Sequence, residues 1–95
     1  MGIESNLAEL GDLLSRARED LRILEEQIVF QSDVFEEAKT RMLVAETPLA
    51  DREYRIARDD LRRMEGERAR IRDSISELQA EQDRLLDRLL AHSTQ

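Results

Sequence analysis

The side chains here that could do chemistry are carboxylates, arginines and one histidine. The chain has 22 acids, 15 bases of which 14 are Arg, a single histidine at His92, and no cysteine. Without thiols there is no disulfide, no thiolate zinc site and no cysteine nucleophile. One imidazole cannot build a multi-histidine metal site. Glu36-Glu37 and Asp59-Asp60 set carboxylates side by side. An acid/base couple works only where a water-excluding pocket separates the proton affinities of its two members. No glycine-rich phosphate loop or nucleophile motif is present. The expectation is a non-enzyme with no catalytic residue, no metal and no cofactor.

The arginines are the other candidate. Arg52, Arg55, Arg58, Arg62, Arg63, Arg68, Arg70 and Arg72 fall within 21 residues, among five acids, Glu53, Asp59, Asp60, Glu65 and Glu67. A basic stripe of this kind can follow a phosphate backbone. The whole-chain charge of −7 opposes sequence-independent nucleic-acid binding. The expected role is a solvated face paired with the other half of the chain, because residues 1–46 carry 11 acids and 5 bases.

What must position these side chains is helix. Charged residues make up 39% and apolar ones 40%, with 3 Gly, 1 Pro and only 3% aromatics, the composition of long helices and coiled coils. Apolar residues recur in alternating steps of four and three: Ile3, Leu7, Leu10, Leu14, Ala17, Leu21, Leu24, Ile28, Gln31, Phe35, Ala38, Met42, Ala45. Twelve of these 13 are apolar, where chance would give about five. Asn6 followed by Glu9 resembles a capping pair, so the first helix is expected to start near Ser5 or Asn6. A second series follows: Ala50, Tyr54, Ala57, Leu61, Met64, Arg68, Ile71, Ile75, Leu78, Gln82, Leu85, Leu89, His92. Ten of its 13 members are apolar. Arg84, Arg88 and His92 suit the negative end of a helix dipole, and Ser93-Thr94-Gln95 should fray.

Thr47-Pro48 divides the two series. Proline ends the first helix, and threonine as N-cap with proline at the first helical position starts the second. The fold expected is all-α, an antiparallel two-helix coiled-coil hairpin pairing into a four-helix dimer. It forms a single domain over 1–95, with helix 1 over about 5–46, a tip over about 46–51 and helix 2 over about 48–92. Two registers compete. In one, facing residues have numbers that add to 99, so that Ala45 meets Tyr54 and Gln31 meets Arg68. In the other, a heptad tighter, the numbers add to 92 and Arg68 faces Leu24. The first is preferred, because burying a charge against leucine is costly. Asp12–Arg16, Glu37–Arg41, Asp51–Arg55 and Asp59–Arg63 are expected as ion pairs on the exposed faces, each contributing only ~0.2–0.5 kcal/mol.

At the tip, Ala50-Asp51-Arg52 is similar to the second half of the Asp-x-x-Asp-x-Ala tip of DksA-type secondary-channel transcription factors, which with the Gre type carry a helical hairpin tipped with acids. The first acid of that pattern falls on Pro48 and the final alanine on Glu53. The resemblance implies a transcription regulator that reaches RNA polymerase through Pro48, Leu49, Asp51 and Arg52.

Apolar residues outside the seam carry the remaining information. Ile23, Phe30 and Val44 share one heptad position, Val29, Val34 and Leu43 flank them, and Leu49 and Ile56 can extend the patch. One hairpin cannot cover both its seam and this stripe, and such patches mark contacts. Ile23, Phe30, Val34 and Val44 are the residues expected to bind a partner, either a second copy of the chain or another helical protein. The functional expectation is a coiled-coil homodimer, adaptor or scaffold. Regulation of transcription through the tip and nucleic-acid binding through the arginines stay open. No run approaches the roughly 18 apolar residues of a membrane span, and the expected location is cytoplasmic.

Overall fold

The computed structural model describes residues 2–93. It contains two helices, α1 over Ile3–Ala45 and α2 over Pro48–Ser93, folded back as an all-α hairpin. α1 starts two to three residues earlier than its capping pair suggests. The Asn6 N–H donates to the Gly2 carbonyl at 3.1 Å, so Asn6 lies inside the first turn and is not the cap. Ile3, itself a seam residue, is half-buried, and that packing draws the helix back past Asn6. At the far end α2 continues through Ser93, whose hydroxyl donates to the Leu89 carbonyl at 3.1 Å. The expected fraying of Thr94 and Gln95 lies outside the described residues.

The turn consists of Glu46 and Thr47 alone. Glu46 adopts φ 50°, the left-handed conformation that ends helices. Its N–H donates to the Met42 carbonyl at 3.2 Å, which occupies one of the carbonyls left open at a helix C-terminus. Thr47 caps the next helix as its sequence predicts. Its Oγ1 accepts from the Ala50 N–H at 3.1 Å, and its carbonyl accepts from the Asp51 N–H at 3.0 Å. Pro48 then occupies the first helical position, where a missing N–H costs nothing. The tip expected over 46–51 thus shrinks to two residues, because cap and proline commit the chain to helix at once.

Two units divide the chain. One comprises Met1–Leu21 with Arg70–Gln95, and the other Arg22–Ala69, which contains the turn. In the turn-containing unit Leu24, Ile28, Ala38, Ala50 and Ala57 are buried, and in the other Leu14 and Leu85. Each belongs to the predicted seam. Burial of a leucine or isoleucine contributes about 1.5–3 kcal/mol, so these rows hold the helices together. Three of the buried residues nearest the turn are alanines, which lets the two backbones approach closely.

The register is the tighter one. Phe35 and Tyr54 stack with ring centroids 5.5 Å apart, whereas numbers adding to 99 would carry Tyr54 up to Ala45. The Gln31 amide donates to the Ala57 carbonyl at 3.3 Å, so the expected Gln31–Arg68 layer does not form. In the other unit Ile3 and Leu89 line one hollow, as numbers adding to 92 require. A two-residue turn has no slack for the looser alignment. The objection to the tighter one was Arg68 facing Leu24. Leu24 is buried while Arg68 keeps partial exposure, so the guanidinium need not leave water while its methylene stem covers apolar surface.

Candidate interaction surface

Successive residues of a helix are about 100° apart, so a seven-residue spacing returns to nearly the same side. Ile23, Phe30 and Val44 therefore lie on one flank of α1. Val34, half-buried, lies between them and the seam on that flank. Phe30 is 71% exposed and Val44 80%, large values for apolar side chains. α2 supplies Leu49, 65% exposed, and Ile56 to the same side. Val29 and Leu43, also exposed, sit about 100° further round α1 and do not join this surface.

Two shallow hollows bring these residues together. One, of about 340 Å³, lies between Val44 and Leu49, with Ala45, Thr47 and Ala50 at its floor and rim. The second, of about 530 Å³, lies between Val34 and Ile56 over Ala38 and Ala57. Arg41 and Glu53 line both hollows, and their side chains meet across the hairpin at 3.6 Å. This pair is a polar bar between two apolar depressions. Spacing on α1 alone would pair Arg41 with Glu37. The tighter register would have revealed the bar, since it brings Arg41 and Glu53 to the same flank within a turn of each other.

The tip residues divide. Leu49 belongs to the hollow and so joins the tip to the lateral patch. Pro48 and Arg52 are exposed beside it. The Asp51 carboxylate faces the Arg55 guanidinium at 3.5 Å, as its spacing predicts.

Three arginines of the α2 run, Arg55, Arg58 and Arg63, pair with acids on α2 itself. Arg58 lies 3.2 Å from Asp59 and over the Tyr54 ring at 5.8 Å. Arg63 lies 3.2 Å from Asp60, not paired with Asp59. Neighbours one to four residues away are reached more easily than acids on the opposite helix.

Three exposed residues of the other unit were missed, namely Leu13, Leu86 and Leu90. Their signal is the doublets Leu13-Leu14, Leu85-Leu86 and Leu89-Leu90, in which only one leucine can enter the seam. Among the described residues, no group of three or more His, Asp or Glu side chains could hold a metal ion, and no helix is long and apolar enough to cross a membrane. Comparison with protein-family models, with curated proteins and with solved structures gives no match.

Proposed function

We propose that the chain works by protein–protein contact through the flank that carries Phe30, Val34, Val44, Leu49 and Ile56. The observation that supports this is the joining of exposed apolar side chains from both helices around two hollows. Phe30, Val44, Leu49 and Ile56 are each more than half exposed, and large apolar side chains gathered in water in this way mark contact sites. Aromatic and branched anchors in such a patch carry most of the binding energy, and the polar rim fixes orientation.

Affinity capture with the wild-type chain and with Phe30→Asp tests the proposal. The variant should keep its helical circular dichroism, because Phe30 lies outside the seam. It should lose at least ~30-fold in affinity for whatever binds, the scale of a hot-spot residue. Equal capture by both chains would contradict the proposal.

A further inference from the structure

We infer that the turn-containing unit is a two-register device, in which α2 slides by one heptad along α1 and the hollows of the flank exist in only one setting. Two polar residues of the seam carry the inference. Polar seam residues fix the alignment of a coiled coil when they face each other. Gln31 and Arg68 do not. Gln31 turns to a backbone carbonyl, that of Ala57 at 3.3 Å. Arg68 is half-buried and meets no hydrogen-bonding or charged partner among the described residues. Numbers adding to 92 set these two side chains against Leu61 and Leu24. Numbers adding to 99 set them against each other, with the guanidinium able to donate to the amide oxygen.

The apolar layers do not oppose the step. Phe35, Ala38 and Met42 exchange Ala57, Tyr54 and Ala50 for Met64, Leu61 and Ala57, apolar for apolar. Two packings of one sequence that differ by little are the condition for a bistable element. The step gives up the Phe35–Tyr54 stack and the Thr47 cap, and gains the Gln31–Arg68 layer.

The turn supplies the hinge. Two residues leave no slack, so a step of one heptad, about 10 Å, must open the first turn of α2. Little holds that turn closed. Pro48, Leu49 and Asp51 are exposed, and Ala50 alone in it is buried. Thr47 releases the Ala50 and Asp51 N–H groups. Glu46 leaves the left-handed conformation at φ 50°, which its side chain disfavours. Asp51 is a second cap one turn further on, since aspartate accepts from the free N–H groups of a helix start as threonine does. α2 then restarts at Arg52 behind a loop of residues 46–50, an ordinary length between antiparallel helices.

The consequence falls on the flank. The Val44–Leu49 hollow is lost when that turn opens. Arg41, 3.6 Å from Glu53 in the tight setting, moves one heptad on, toward Asp60. A partner seated in the hollows therefore binds one setting and draws the equilibrium to it.

The chain has no cysteine, so introduced pairs report register. A disulfide needs Cα atoms about 4.4–6.8 Å apart, less than the step. Met42→Cys with Ala50→Cys closes in the tight setting, and Met42→Cys with Ala57→Cys only after the step. In a glutathione buffer both pairs should close within one chain, the second to a smaller extent. Arg68→Leu suits Leu24 and leaves Gln31 against leucine after the step. It should lower closure of the Met42–Ala57 pair at least ~10-fold, the scale of a stranded polar group, and leave the Met42–Ala50 pair unchanged. Met42→Cys with Met64→Cys lies two heptads from the tight partner and should stay open, as the control for unfolding. A Met42–Ala57 pair that stays open, that closes equally well with Arg68→Leu, or that closes no faster than the Met42–Met64 control would overturn the device, as would an open Met42–Ala50 pair. These readings need no partner, so Phe30-dependent capture is untouched by any of them.

Discussion

Glu46 is the residue on which the reversal of the chain turns, and it is not the residue that the position prefers. At φ 50° its Cβ crowds the backbone, a conformation that costs most residues about 1–2 kcal/mol and glycine almost nothing. Glu46→Gly should therefore raise the unfolding free energy by about 0.5–1 kcal/mol after the added freedom of the unfolded glycine is deducted, measured by urea denaturation. An unchanged or lowered value would mean that the turn is not left-handed at Glu46. This residue also shows where the sequence was hard to interpret. A glycine there would have announced a helix C-terminus, whereas glutamate resembles helix interior. Thr47 and Pro48, by contrast, signal a helix start through chemistry that is local, and both stand where they were expected.

Among elements, the two seams were legible because a four-three period survives in any tertiary context. Twelve of the 13 positions on α1 and 12 of the 13 on α2 are buried or half-buried, with Ala45 and His92 the exposed ends. Register was not legible. It depends on the length of the turn, and each alignment sets apolar residues opposite apolar ones along most of the seam. An Arg68–Leu24 layer does not forbid the tight alignment, because a long arginine stem can lie along apolar surface while its head stays wet. The same register left the Arg41–Glu53 bar unseen. The tight alignment buries Ala38, Ala50 and Ala57, where small side chains let the helices approach. Ala57→Leu should accordingly cost about 1–3 kcal/mol by overpacking, read as a fall in thermal midpoint. The exposed alanine Ala69, changed in the same way, serves as the control. A midpoint no lower for Ala57→Leu than for the control would show that the helices do not meet closely there.

At the scale of the whole molecule, the residues that a binding function would use were legible as a list and not as a surface. Ile23, Phe30 and Val44 share a heptad position by arithmetic alone. The joining of Val44 to Leu49 in one hollow followed only from the folded hairpin, whereas the placing of Val29 and Leu43 about 100° further round α1 is open to the same arithmetic. Arg55, Arg58, Arg63 and Arg84 of α2 pair with acids on the same helix. A hairpin that bears an apolar flank in water gains stability from any partner that covers it, by mass action. The most direct measurement is the solution mass of the wild-type chain by light scattering over a wide range of concentration, alone and with the protein it captures. The account predicts a particle heavier than the 11.1 kDa chain that falls to the single-chain mass in Phe30→Asp with its helical signal intact. A wild-type chain that holds the single-chain mass at every concentration, and that binds no other protein through Phe30, would contradict it.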